Sequence, residues 1–313
     1  MPLAVNTSRL DKMTASAVSA SRHPLDFYRS DISFVGTMYN EVHNLFDRME
    51  HLSDYTKGYL QGIMQAQMKV YGYYFIEELL SKEIIEDMQH SLPLQPRSDS
   101  VKSTEWLFAH YVIARKIANL ERTALLKAVS EHFNTKLYTP NPTPELPQIY
   151  NMGSVDYQRQ MPYVFKNSAI NLNISLRSIR SGIPLRCFDI MGCGGFLLSN
   201  YQGDFYEHFI PGEDLVLFDS QEDFLNKCDY YLKHDNERLQ ITANGYGKVK
   251  EFHTYEVRLK EIFEVVLFTF YLSPYNMLSI LQHSHSEAAE LHYKYPHNLS
   301  LIHISEPTRL QLI

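Results

Sequence analysis

The sequence predicts an α/β protein, a parallel sheet whose strands alternate with helices, interrupted by a long helical block. Short apolar runs recur between longer segments of helical period, the pattern of strand–helix–strand units. From Asn44 to about Phe133 the helical period dominates, with Tyr59, Ile63, Ala66 and Val70 on one face. The stretch Ile170 to Gln202 reads in a single pass as strand, polar loop, helix, glycine turn and strand.

Taken in order, Leu10 to Arg29 is polar and rich in Ser and Ala, the composition of a linker. Ile32 to Val35 is a short buried strand. Gly36-Thr37 follows it, either as a loop facing phosphate or substrate or as an ordinary turn. Pro93 and Pro96 break the helical block between Leu92 and Ser103. Lys136 to Tyr138 is a second strand, and Pro140 to Pro147 a proline-rich connector. Met152 to Val155 leads into a helix expected from Asp156 to Lys166.

Ile170 to Ile174 alternates apolar and polar residues, the period of a strand. Gly182-Ile183-Pro184 stops the chain, and Pro184 suits the first turn of a helix, where its missing N–H is unpaired anyway. Gly192, Gly194 and Gly195 close that helix before the apolar run Phe196 to Leu198. Two further helices are expected at Gln221 to Leu232 and Asn236 to Glu251, and Thr254 is placed to cap a last one.

A helix that starts just beyond a strand is an anion site by construction, because its free N–H groups and its dipole both face the ligand. Around this one stand Arg177, Arg180 and Arg186, whose forked donors match phosphate oxygens. Asp189 falls about one turn into the helix, where a carboxylate can accept two sugar hydroxyls. A nucleotide diphosphate-sugar would be held by such a set. The plainer alternative is three solvated arginines and an ordinary N-terminal helix acid.

Gly182 to Arg186, Phe188 to Gly192 and Gly194 to Gln202 together form the segment GIPLR-FDIMG-GGFLLSNYQ. It resembles the donor-binding segment of spore-maturation-protein-like glycosyltransferases, relatives of the retaining GT-B class with two Rossmann-like halves. Asp31 to Asn44, Thr139 to Pro147, Met152 to Phe165, Phe209 to Phe218 and Asn244 to Arg258 fit the same pattern, so the resemblance covers roughly Pro2 to Phe263. It implies a Rossmann-like C-terminal half of a GT-B fold with a helical insertion, and sugar transfer of the hexosyl type with retention. Arg177 and Arg186 would clamp the diphosphate as the catalytic pair. Asp189 would hold the ribose, Gly36 and Thr37 would allow close backbone approach, and the segment Gly182, Ile183, Pro184 and Leu185 would offer main-chain donors from its residues other than the proline. Two features depart from the pattern: many relatives carry Glu at the position of Asp189, and Arg180-Ser181-Gly182 lacks the acid that the wider class has there.

The expected organisation is an interdomain segment over residues 1–30 and a donor-binding domain over 31–265, with the insertion at about 44–133. A tail follows at 266–298, from which the family pattern is lost, and 299–313 is read separately. Leu299 to Arg309 is similar to the conceptual translation of a transposon-type sequencing adaptor. Pro2 to Asn6 resembles the segment that joins the two halves in relatives, which implies an acceptor-side half upstream of Met1.

Composition excludes several classes. With 44% hydrophobic and 21% charged residues in 313, the chain can build a core. A net charge of −7 argues against a partner bound through the nucleic-acid backbone. Cys187, Cys193 and Cys228 make no disulfide framework, which fits a reducing cytoplasm. No secretory start is present, and Val265 to Leu272 is too short to span a bilayer. There is no G-x-S-x-G elbow, Walker loop or H-E-x-x-H, and Gly192 to Gly195 precedes a strand where a dinucleotide fingerprint would follow one. His283-Ser284-His285 reads as a surface accident. No cofactor or metal is expected. The expected partners are a nucleotide-sugar donor and an acceptor that is a glycan, a protein or a small molecule. The other class of function left open is a non-catalytic nucleotide-binding or protein-interaction scaffold.

Overall fold

The computed structural model describes residues 2–15, 23–97 and 99–271. His283, His285, the run Leu299–Arg309 and most of the 266–298 tail lie outside those residues. The chain begins with α1 (Thr7–Thr14), β1 (Ser30–Val35), α2 (Asp54–Lys69), α3 (Ile76–Leu79), α4 (Lys82–Ser91), α5 (Thr104–Leu107) and α6 (Ala114–Ser130). It continues through β2 (Thr135–Tyr138), β3 (Tyr150–Asn151), α7 (Met161–Asn167), β4 (Ser168–Asn173), α8 (Leu185–Gly192) and β5 (Leu197–Asn200). Then come α9 (Phe205–His208), β6 (Val216–Phe218), α10 (Gln221–Lys233), α11 (Asp235–Phe252) and α12 (Tyr255–Tyr271).

The six strands form one sheet in the order β3-β2-β1-β4-β5-β6, every pair parallel. This is the Rossmann-like order, in which the chain grows outward in one direction from β1 and in the other from β4. Strand residues alternate between two cores. Val35, Tyr138, Leu197 and Leu217 face the layer with α7 and α8, whereas Phe34, Leu137, Leu198 and Phe218 face the layer with α6 and α10. Both faces of the central strands are buried, and their polar residues bond within the sheet, as Ser33 Oγ does to Asn171 Oδ1 at 2.9 Å.

The helical block builds a third core of its own, from Leu60, Ile63 and Met64 of α2, Ile84 and Met88 of α4, and Phe108, Val112 and Ile113. Phe108–Ile113 is a π-helical stretch that joins α5 to α6 in one rod. The first turn of α6 (Ala114, Ile117) belongs to this third core, and its last turns (Leu125, Leu126, Val129) to the core under the sheet. One helix is thus shared by two cores.

The linker expected over Leu10–Arg29 is corrected at both of its ends. Residues 7–14 form α1, opened by Asn6, whose side chain accepts a 2.9 Å bond from Arg9 N–H. Leu10 and Tyr28 are buried in the α7/α8 core, so a few apolar residues anchor a polar stretch. The helix expected from Asp156 starts only at Met161. Asp156 instead accepts bonds from the N–H groups of Gln158 and Arg159, closing a turn before it. Gly195 sits where a Cβ would come 2.7 Å from Phe165 O and 2.8 Å from Asn171 Nδ2, so the α8–β5 turn leaves no room for a side chain.

Candidate functional site

Because all six strands are parallel, their carboxyl ends share one edge. The crevice between β1 and β4, where the strand order reverses, is the place on such a sheet where ligands enter. Gly36-Thr37 leaves β1 there, and residues 174–184 lead from β4 to α8. Pro184 is the N-cap of α8 and no side chain caps the helix; Cys187 N–H bonds back to Pro184 O at 2.9 Å, which leaves the N–H groups of Leu185 and Arg186 as the end of the helix open to a ligand. The loop before it is fixed at both ends. Ser175 N–H donates to Asn200 Oδ1 at 2.9 Å, Asn200 Nδ2 returns a bond to Ser175 O, and Gly182 N–H donates to the Asp204 carboxylate. Gly182 has φ +90, a conformation that admits few residues other than glycine.

Asp189 projects from α8 into a cleft of about 200 Å³ lined by Asn6, Arg9, Tyr157, Phe165 and Tyr255. It is only 6% exposed, and Tyr157 Oη donates a 2.8 Å hydrogen bond to its Oδ1. Burial pushes its carboxyl up to about 6, against the opposing pull of the Tyr157 hydrogen bond and of Arg186 and Arg9. Arg186 lies beside it, its Nη1 3.2 Å from Met161 Sδ and its guanidinium 5.9 Å from the Phe165 ring centre. Burial lowers its pKa and the neighbouring Asp189 raises it.

Arg177 lies on the other side of the sheet. Its Nη2 and Nε donate to Glu121 of α6 at 2.6 and 3.1 Å, both side chains being 4% exposed. Nη2 also reaches Met68 O at 3.3 Å, the guanidinium stacks 3.3 Å from the Tyr71 ring centre, and Nη1 is buried without a partner. Arg180 is half exposed and donates to Tyr74 O at 3.0 Å. Arg186 and Asp189 therefore share α8, the segment Gly182–Leu185 leads into it, Gly36 and Thr37 follow the neighbouring strand β1, and Arg177 is held by α6 on the opposite face of the sheet. Among the described residues no three His, Cys, Asp or Glu side chains converge as a metal site.

Sequence reasoning missed Glu121, Arg122 and Tyr157. Arg122 Nε donates to Ile174 O at 3.1 Å and Nη1 to Thr37 O at 2.5 Å, tying the ends of β1 and β4 together. A signal for the first two existed. Ile117, Ala118, Leu125, Leu126 and Val129 mark the buried face of α6, and positions 121 and 122 fall on the same face with charged residues.

Residues 116–264 match the glycosyl transferase-like family. This glycosyl transferase-like segment opens in α6, closes in α12 and takes in β2 to β6, α8 and Asp189; it is just under half of the chain. No curated protein matches the sequence. Among solved structures the chain is similar to sucrose-phosphate synthase from Thermosynechococcus elongatus, at 13% identity over 49% of this chain and 42% of that one, TM-score 0.40. It is similar to Anabaena HepE in complex with UDP and glucose at 12% identity over 45% and 43%, TM-score 0.39. It is also similar to the C-terminal domain of the glycosyl transferase group 1 family protein LpcC from Francisella tularensis, at 17% identity over 43% and 79%, TM-score 0.35. The chain spans less than half the length of the first two, and at these TM-scores the likenesses carry no argument about ligand or mechanism. Among the described residues no helix is long and apolar enough to cross a membrane.

Proposed function

We propose that residues 31–265 are the donor-binding half of a GT-B glycosyltransferase related to the spore-maturation-protein-like group, and that they hold a nucleotide diphosphate-sugar at the carboxyl edge of the sheet. The observation that carries this is the uncapped N-terminus of α8 at the β1/β4 switch, with Asp189 and Arg186 on the same helix inside the glycosyl transferase-like segment. In this reading Asp189 accepts the ribose hydroxyls. The N–H groups of Ile183, Leu185 and Arg186 and the Arg186 side chain face the diphosphate, Gly182 N–H being held by Asp204, and Gly36 and Thr37 let the diphosphate approach β1 closely. Breaking the bond between the anomeric carbon and the diphosphate leaves charge on the diphosphate, and donors fixed in advance stabilise that charge without reorganising. Acceptor-side groups come from a second Rossmann-like half, transfer proceeds with retention, and the site works in the cytoplasm.

Titration calorimetry with a panel of nucleoside diphosphates tests the proposal. Saturable binding by at least one of them, weakened in Asp189→Ala, is expected, and no binding by any of them overturns it. The scaffold alternative draws on the missing acid at Arg180-Ser181-Gly182. It predicts a chain that turns over no nucleotide-sugar even when a second half is supplied.

A further inference from the structure

Glu121 and Arg122 stand at the middle of α6, where the helix passes from the core of the helical block to the core under the sheet. They are 3% and 7% exposed. Each grips a different point of the crevice. Glu121 accepts both bonds from Arg177, which lies three residues beyond Ile174 in the loop leading to α8. Arg122 takes the carbonyls of Thr37 and Ile174, one from each wall.

The peptide between Ile174 and Ser175 is consequently held from both sides. Its C=O is bonded to Arg122, and its N–H, which must point the opposite way in a planar trans peptide, is bonded to Asn200 Oδ1. Arg177 extends the grip, through Met68 O and the Tyr71 ring, to the turn that follows α2.

We propose that Glu121, Arg122 and Arg177 are positioning residues that set the shape of the β1/β4 crevice from the side of the helical block, and that Arg177 acts on a bound nucleotide through Glu121 and the loop, without touching the diphosphate. This rests on the nucleotide-binding reading above. A guanidinium suits the task because its donors lie in one rigid plane and fix two carbonyls at once. Arg177 gives Nε and Nη2 to Glu121 and stacks on Tyr71, and with its side chain 4% exposed and its remaining nitrogen Nη1 also buried it presents no solvent-facing surface to a phosphate.

The test compares wild type, Glu121→Gln, Arg177→Lys and the double exchange Glu121→Arg with Arg177→Glu. Nucleoside diphosphate affinity is read by calorimetry, and hydrogen exchange is followed in peptides covering 174–184. Glu121→Gln should keep a cooperative thermal transition, weaken affinity about ten-fold or more, and speed exchange in 174–184 by a similar factor while β2 and α10 are unaffected. The double exchange should recover part of the protection. If Arg177 touched the diphosphate directly, freeing it from Glu121 would leave affinity unchanged or improve it, and the double exchange would abolish binding; either result overturns the proposal. Arg177→Lys keeps the charge, loses the fork and is read in the same way if Glu121→Gln does not fold. Absence of nucleotide binding by the wild type would count against the function alone, because unchanged exchange in 174–184 still decides against the positioning role.

Discussion

The hydroxyl of Tyr157 and the carboxylate of Asp189 are joined by a 2.8 Å hydrogen bond in the wall of the cleft beside α8. Tyr157 comes from the turn before α7 and Asp189 from the second turn of α8. The bond therefore ties the loop after β3 to the helix after β4, at the point where a ribose would enter.

Stability should depend on this carboxyl. In the folded chain it holds its proton up to about 6, against 3.8 for an unperturbed aspartate. The folded state therefore binds more protons between those values, and stability falls as the pH rises through that window. Wild type should lose about 2 kcal/mol relative to Asp189→Asn between about pH 4 and 6. Thermal unfolding of both across that range checks this, and parallel curves would count against it.

Ligand affinity should run the opposite way with pH. Only the ionised carboxylate accepts two hydroxyls, so nucleoside diphosphate affinity should rise through about pH 6 in the wild type. Tyr157→Phe removes a bond that holds the pKa down and should move that rise to higher pH. Calorimetry at a series of pH values would show the displacement.

Removing the charged contacts should weaken binding without unfolding the protein. Arg186→Ala and Asp189→Ala should each cost about 1.5–3 kcal/mol of nucleotide affinity, the range for a hydrogen bond to a charged group. Two variants of wild-type affinity, each with an intact melting transition, would remove both residues from the site.

Gly195→Ala tests the packing behind α8. A Cβ there would meet Phe165 O at 2.7 Å and Asn171 Nδ2 at 2.8 Å, and both are held in the core. Overpacking of this kind should cost about 1–3 kcal/mol, seen as a lower melting temperature.

A donor-side half alone should bind nucleotide and transfer nothing. Holding an acceptor against the anomeric carbon is worth roughly 7–11 kcal/mol of barrier, which a second half would have to supply. An assay for released nucleoside diphosphate, with nucleotide-sugars and cell-extract acceptors, checks this. Acceptor-dependent turnover by this chain would show that a complete site lies within it.

The sheet and α8 were legible where local chemistry was strong. Ile170–Ile174 alternates, Pro184 and Gly192 bracket one helix, and Thr254 caps the last one, accepting a bond from Val257 N–H. β3 has only two residues, both exposed, and β6 has three, all buried, so neither shows a period. The partners of the site were less legible. Tyr157 and Asp189 are 32 residues apart and Glu121 and Arg177 are 56, and nothing local marks such pairs. The arginines drew the eye as phosphate ligands because the sequence records their charge and not the buried carboxylate waiting for one of them.

Because α6 is built into two hydrophobic interiors, the helical block cannot be removed as a cassette. Cutting at the edges of its own core would take the first turns of the rod that crosses from β1 to β2, and with them the support for both strands. The same continuity binds the two parts thermodynamically: fraying of the block withdraws Ile117 and Ala114 from one interior and strains Leu125 and Val129 in the other. A single melting event, with the block and the sheet losing structure together, is what such a shared rod imposes.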